Sequence, residues 1–325
     1  MLYPLVFQPL FKDRVWGGRE LERLYGKKLP AGKPIGESWE ISDRSGDVSV
    51  IANGPLAGKD LRWLMMHHRE EVLGHAKATA EGCFPLLCKV LDAREKLSLQ
   101  VHPPANKAAE LNGEPKTEMW YIADAAPDAS LYVGLKRGGT RAQFEQKIAD
   151  GTVADCFHRI PVRAGDTMFL PSSRVHAIGG GLVIFEIQQN SDTTYRVFDW
   201  NRVGLDGKPR QLHVPQSLAS IDFNDFEPKL VTTEYQKVAS IKFRHLVQDP
   251  LFDVDEIHCE TADAAAFGNK LGIVAVLKGS LLITAGNSEA GVELNAGQFC
   301  LIPACLRGVS VQGNPKTAYI YVEAK

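Results

Sequence analysis

The sequence predicts a mainly β protein made of two barrel-like modules, and three observations carry that expectation. First, short strand patterns recur at close spacing, at residues 37–42, 84–91, 97–101, 119–122, 131–134, 167–170, 182–189 and 195–199. Strands this short and this frequent, separated by turn residues, belong to sandwiches and barrels. Second, no βαβα rhythm runs through the chain, and neither G-x-G-x-x-G nor G-x-x-x-x-G-K-[ST] occurs. Third, one motif recurs. Residues 164–171 (AGDTMFLP) match residues 296–303 (AGQFCLIP) at an offset of 132, each a glycine turn, an apolar strand and a proline. Upstream, residues 120–124 align with residues 275–279. A duplicated β module explains both matches. The chain turns polar around residues 225–240, which places the division between modules at 1–235 and 236–325.

Helical signals are few. Asp60 is placed to cap a helix through Leu61, Leu64, Met65 and Leu73. Thr140 and Gln143 have the spacing of a capping box, with Phe144 and Ile148 sharing the face that follows. A short helix is expected over residues 105–111, stopped by Asn112-Gly113.

Composition narrows the function. In 325 residues, 44 % are hydrophobic and 23 % charged, the balance of a soluble globular chain with enough length to bury a sizeable core. The formal net charge of −2 supplies no field to attract nucleic acid or an anionic membrane, so an anionic substrate needs a local group of cations. The N-terminus lacks a basic segment and is broken by Pro4 and Pro9, unlike a signal peptide. No stretch reaches the ~18 apolar residues of a membrane span. Six cysteines without a CxxC pair read as reduced thiols of a cytoplasmic protein.

The chemistry concentrates in three segments. In Leu97-Ser98-Leu99-Gln100-Val101-His102-Pro103, period-two alternation sends Ser98, Gln100 and His102 to one face and Leu99 and Val101 to the other. Three polar side chains on one face of a core strand imply a lined cavity. Glu118 follows in Lys116-Thr117-Glu118-Met119-Trp120-Tyr121, with Lys116 on the same face. His176 follows a strand and its proline turn. Two imidazoles, a carboxylate and an amide oxygen form a ligand set for one divalent metal: Gln100, His102, Glu118 and His176. Two His and one Glu suit catalytic zinc with positions open to water or substrate. The mixed nitrogen and oxygen donors also accept iron, cobalt or manganese. Under the repeat, His176 falls on Gly308 and Glu118 on Ile273, so the second module keeps the barrel punctuation without the ligands. His67, His68 and His75 read instead as a solvated helix face. Arg196, following the turn Asn190-Ser191-Asp192, either reaches the cavity or pairs with Asp192 or Asp199.

At these residues the sequence resembles the class I mannose-6-phosphate isomerases (phosphomannose isomerases) of the shorter bacterial type. The resemblance rests on Trp16-Gly17-Gly18, Gly36 through Ile41, Phe84 through Lys89, QVHP at residues 100–103, KTEMWY at residues 116–121, Pro171 through Ile178, and QNSDTTYRVFDW at residues 189–200. It implies a cupin, a jelly-roll β-barrel, followed by a second, metal-free cupin-like module. It implies one Zn2+ per chain on Gln100, His102, Glu118 and His176, and a pocket formed by Trp16, Glu37, Ser98, Lys116, Glu186, Asp192 and Arg196. The implied reaction interconverts mannose 6-phosphate and fructose 6-phosphate through an enediol. Arg196 is expected to stabilise the enediolate, and Glu186 and Lys116 are both candidates for the general base. Lys136 and Arg137 are expected to meet the phosphate, with a solvated turn as the alternative. Longer members carry an extra helical domain, for which this chain has only the helix near residues 140–150, and a tyrosine where this chain has Ile178. The expected partner is a small sugar phosphate, with no nucleic acid or membrane, and the chain is expected as a monomer or homodimer. The rival reading is a non-catalytic metal cupin that binds sugars. The second module is expected to cover an open barrel edge.

Overall fold

In the computed structural model, which describes residues 1–286 and 291–325, the alternating strands of the first module close into two facing sheets. In chain order its elements are β1 (Leu10–Gly18), α1 (Glu20–Tyr25), β2 (Ile35–Ile41), the ribbon β3 (Asp43–Arg44) and β4 (Asp47–Val48), α2 (Leu61–His67), α3 (Arg69–Leu73), β5 (Leu86–Ala93), β6 (Leu99–Val101), α4 (Ala105–Ala108), β7 (Glu118–Ala125), β8 (Ser130–Leu135), α5 (Arg141–Ala149), β9 (Phe157–Pro161), β10 (Thr167–Leu170), β11 (His176–Ile178), β12 (Leu182–Gln189), β13 (Tyr195–Phe198) and α6 (Val214–Ser220). The second module holds β14 (Gln236–Val238), β15 (Ile241–Gln248), β16 (Phe252–Cys259), β17 (Asp263–Phe267), β18 (Gly272–Lys278), β19 (Ser280–Ala285), β20 (Val292–Asn295), β21 (Phe299–Ile302), β22 (Val309–Gly313) and β23 (Thr317–Ala324).

The repeat seen in the sequence reappears as topology. The larger sheet of the first module is ordered β1-β2-β5-β12-β7-β10, and that of the second β14-β15-β16-β23-β18-β21. The smaller sheets run β13-β6-β11-β8-β9 and β17-β22-β19-β20. The matched motifs are β10 and β21, the edges of the two larger sheets. Each is entered through a glycine in the left-handed region, Gly165 at φ 93° and Gly297 at φ 80°. Their neighbours β7 and β18 are the second matched pair.

Four strands of the larger sheet in the first module, β5, β7, β10 and β12, sort their side chains by parity. Leu91, Trp120, Ile122, Met168 and Ile184 meet Leu131, Val133 and Ile178 of the smaller sheet inside the barrel. Cys88, Val90, Met119, Tyr121, Phe185 and Ile187 point the other way, into a core shared with Phe252, Ile273, Phe299, Leu301, Ile320 and Val322 of the second module. The second module therefore covers the outer face of this sheet, not an open edge. That explains why Leu86–Ala93 is buried along its whole length: a strand packed on both faces has no solvated side. The outer face of the smaller sheet is covered by α5 and neighbouring loops, which bury Leu99, Val101, Phe144, Phe157 and Val197 together.

The helices follow the expected caps with one difference. The Asp60 side chain accepts the Trp63 N–H at 2.7 Å, and Thr140 with Gln143 makes a complete capping box. The expected single helix over residues 61–73 breaks at His68, whose φ of −138° leaves the helical region. Glu70 and Glu71 then open a second helix with the charge its N-terminus favours. α4 stops at Ala108, short of the expected residue 111. Among the described residues, no helix is long and apolar enough to cross a membrane.

Candidate active site

Strand register lines up two rows of side chains on facing walls of the first barrel. On the larger sheet, Lys89, Glu186 and Trp120 stand side by side on β5, β12 and β7, and Glu118 pairs with Gln188 one pleat further along. On the smaller sheet, Arg196, Gln100 and His176 stand side by side on β13, β6 and β11. His102 leaves the end of β6, where its carbonyl accepts the Ser173 N–H at 2.9 Å. Ser98, Gln100 and His102 thus turn inward, as alternation requires, while Leu99 and Val101 face the outer core.

The rows converge on His102, Glu118 and His176. Their ligand atoms all lie within 4.8 Å of one another, and all three residues are buried. His176 Nε2 is 3.1 Å and His102 Nε2 3.4 Å from Glu118 Oε1. The other ring nitrogens are occupied: Nδ1–H of His102 donates to the Thr193 carbonyl at 2.7 Å, and Nδ1–H of His176 to the Arg174 carbonyl at 2.9 Å. A histidine held this way presents an unprotonated Nε2 to the site, the usual arrangement behind a metal ligand. His102 Nε2 and both Glu118 oxygens are buried without a hydrogen-bond partner. Such orphaned atoms are costly unless a cation takes them, so the donor set fits a divalent metal. Gln100 lies beside it: its amide is 3.4 Å from His176 Nε2 and 3.2 Å from the Ser98 hydroxyl. Rotating that amide by half a turn puts its oxygen beside His176 and lets its NH2 donate to Ser98.

The charges around this centre follow from burial and near neighbours. Burial pushes the His176 imidazole down to about 3 against the opposing pull of Glu118. Burial, then the Lys116 ammonium, lowers His102. Burial alone would raise Glu118, yet Lys116, His102 and His176 hold it well below the ordinary carboxylate range. Lys116 Nζ sits 3.1 Å from Glu118 Oε2. Burial disfavours its charge, and Glu118, Glu186 and Asp192 together outweigh that and raise its pKa.

A cavity of about 610 Å3 lies beside the centre. Gln100, which touches His176, and Lys116, which touches Glu118, form part of its wall. Trp16, Glu37, Ser98, Glu186, Asp192 and Arg196 line it as well. Glu37 is buried, accepts the Trp39 indole N–H at 2.6 Å and pairs with Arg14 at 2.9 Å. Against its burial, Lys89 and Arg14 hold it down at about 2. Glu186 accepts the Trp120 indole N–H at 2.8 Å through one oxygen. Its other oxygen lies 3.3 Å from Lys89 Nζ and is buried without a hydrogen bond.

The model of the catalytic domain of type I phosphomannose isomerases matches residues 5–129. A probable mannose-6-phosphate isomerase of Bacillus subtilis is 36 % identical, with 96 % of this chain and 97 % of that protein covered. The chain belongs to the mannose-6-phosphate isomerase family. A mannose-6-phosphate isomerase of Streptococcus mutans is 34 % identical over 97 % of this chain and 96 % of its own. The crystal structure of the mannose 6-phosphate isomerase from Bacillus subtilis superposes with a TM-score of 0.89 at 30 % identity, covering 99 % of both chains.

Among the residues singled out from the sequence of this family member, two, Lys136 and Arg137, do not join the others. Lys136 follows β8 on the far side of the smaller sheet and lines a separate hollow against α5, with Thr140, Phe144 and Lys147. Its N–H is tied to the Cys156 carbonyl at 2.8 Å. The smaller sheet separates it from the metal centre, so the expected phosphate contact there is corrected to the solvated-turn alternative. Its neighbour Arg137 pairs with Glu227 on the surface at 3.1 Å. The choice left open for Arg196 is resolved toward the cavity: it lines the wall, and its Nη1 donates to the Gln211 carbonyl rather than to Asp192 or Asp199. Three cations of the cavity were missed: Arg14, Lys89 and Arg210. Lys89 had a readable signal, a lone ammonium within the apolar run Leu86-Leu87-Cys88-Lys89-Val90-Leu91. A charge inside a strand buried on both faces needs a partner, and here it has Glu186.

Proposed function

We propose that this chain interconverts mannose 6-phosphate and fructose 6-phosphate, using one zinc ion held by Gln100, His102, Glu118 and His176. The observation that carries this reading is the pair of buried imidazoles. Both are locked by main-chain carbonyls so that Nε2 meets the Glu118 carboxylate. Two His and one Glu are a catalytic zinc set, and other divalent metals suit the same donors. When bound, the metal supplies Lewis-acid polarisation of the substrate's carbonyl and hydroxyl oxygens.

The chain's own groups do the rest. Glu186, with one buried oxygen free of hydrogen bonds, is the general base that carries the proton between C1 and C2. Lys116, kept protonated by three carboxylates, hydrogen-bonds the substrate oxygens as charge builds on them. Arg196 reaches the same cavity with a permanently charged fork, placed to stabilise negative charge on the enediolate. Trp16, Glu37, Ser98 and Asp192 shape the pocket and contact the sugar hydroxyls. Family membership favours this over a non-catalytic sugar-binding cupin.

Residues 1–235 serve as the catalytic module, and residues 236–325 as the module that seals the outer face of its larger sheet. Every proposed site residue comes from one chain, so the site needs no second copy, in a monomer or a homodimer. Six cysteines outside any disulfide suit the reducing cytoplasm. A coupled assay for fructose 6-phosphate formed from mannose 6-phosphate, with and without a chelator, tests the reading. Turnover abolished by the chelator and restored by zinc is expected. Sugar phosphate binding without turnover would support the non-catalytic alternative instead.

A further inference from the structure

Asp199 ends the segment Tyr195-Arg196-Val197-Phe198 and is 5 % exposed. One buried carboxylate there serves two arginines. Its oxygens accept Arg210 Nε at 2.7 Å and Arg210 Nη2 at 2.6 Å, a bidentate clamp. Arg202 Nε and Nη2 approach the same Oδ1 at 3.1 and 2.8 Å. The two arginines face different ways. Arg210 lines the metal cavity. Arg202 lines an outer cleft with Lys96 and Arg159, and also donates to the Lys96 carbonyl.

Between Asp199 and Arg210 the chain forms a flap. Trp200 and Asn201 both take left-handed φ, 57° and 54°. The Trp200 indole N–H anchors the flap base to the Leu97 carbonyl at 2.7 Å. Gly204 N–H closes the tip on Lys208 O at 2.7 Å. Leu205 and Asp206 of the tip line the cavity with Arg210.

Beyond Arg210, the chain folds back on Arg196: the Gln211 carbonyl accepts Arg196 Nη1 at 2.7 Å. Arg196 Nε is buried without a partner, and Arg210 keeps Nη1 outside its clamp. Two guanidiniums with donors to spare therefore share one wall of the cavity, and the single charge of Asp199 is divided between Arg210 and Arg202. The spare donors, Arg196 Nε and Arg210 Nη1, suit an anionic group.

We propose that Asp199 is a positioning residue: it holds Arg210 at the mouth of the metal cavity, where Arg210 takes the substrate's phosphate while Arg196 faces the reacting carbons. This rests on the function proposed above and deepens it. The clamp fixes the Arg210 fork before substrate arrives, so less rotamer freedom is lost on binding. It therefore acts on affinity for the phosphorylated end and not on proton transfer at C1 and C2.

The test uses the zinc-loaded protein and Asp199→Asn, Arg210→Ala, Arg202→Ala and the Asp199→Asn/Arg210→Ala double variant. Inorganic phosphate is titrated calorimetrically, and KM and kcat are measured with mannose 6-phosphate. Asp199→Asn and Arg210→Ala should each weaken phosphate binding about tenfold or more and raise KM in step, with a smaller change in kcat. The double variant should be no worse than Arg210→Ala alone, because the two residues act as one unit. Arg202→Ala also strips Asp199 of a partner but should change phosphate affinity less than about threefold. Equal damage from Arg202→Ala and Arg210→Ala, additive losses in the double variant, or a loss confined to kcat would overturn the clamp. If Asp199→Asn fails to fold, the comparison of Arg202→Ala with Arg210→Ala decides alone. If the wild-type protein does not isomerise the sugar, the proposed function falls, while the phosphate titration still decides the clamp.

Discussion

Glu37 links the stability of the barrel to the charge of its cavity. Its carboxylate is buried between Arg14, the Trp39 indole and Lys89, and is held down from 4.5 to about 2. At about 1.36 kcal/mol for each tenfold change in proton affinity, that difference contributes roughly 3 kcal/mol to folding. The folded pKa is the lower one, so the contribution is fully present above pH 4.5 and is lost as pH falls toward 2. At pH 3 roughly 1.4 kcal/mol of it should remain. Replacing Glu37 by Gln removes the titration while keeping the shape. The stability gap between wild type and Glu37→Gln, from urea unfolding at pH 7 and pH 3, should narrow by about 2 kcal/mol. An unchanged gap would mean that the carboxylate is not held low by its cations, and the account of the cavity's electrostatics would fail with it.

Three further outcomes are expected. His102→Ala or His176→Ala should lose metal and activity together, read by metal analysis and turnover on the same preparations; full activity in metal-free His102→Ala protein would remove the site. Arg196→Ala should lower turnover about a hundredfold or more while zinc content stays near wild type. If metal is lost in proportion, Arg196 holds the centre together instead. Lys136→Ala should leave KM for mannose 6-phosphate within about twofold, since the side chain lies across the smaller sheet from the cavity.

Much of the site was legible because strands impose a period of two. Alternation alone put Ser98, Gln100 and His102 on one face, and the pairing of His176 with Gln100 brings the second imidazole to the same place. The motif shared by residues 164–171 and 296–303 pointed to two modules, and the strand orders of the larger sheets agree position by position. What escaped depended on long-range packing. Arg210 is far from Arg196 along the chain and joins it only because the flap folds back. Lys136 looked like a phosphate ligand because turn cations read alike wherever the turn goes. The covering of a sheet face by the second module was written in the continuous apolar run of β12, Leu182 through Ile187, interrupted only by Glu186. A strand with one solvated face would have alternated.

The central claim is that one metal ion on His102, Glu118, His176 and Gln100 is required for aldose–ketose isomerisation. Titrating zinc into chelator-treated protein while following turnover of mannose 6-phosphate tests it most directly. Activity should rise linearly and stop at about one equivalent per chain, the stoichiometry of a single site with three protein side chains and an amide oxygen. Full turnover before any zinc is added, or none after one equivalent is bound, would contradict the account.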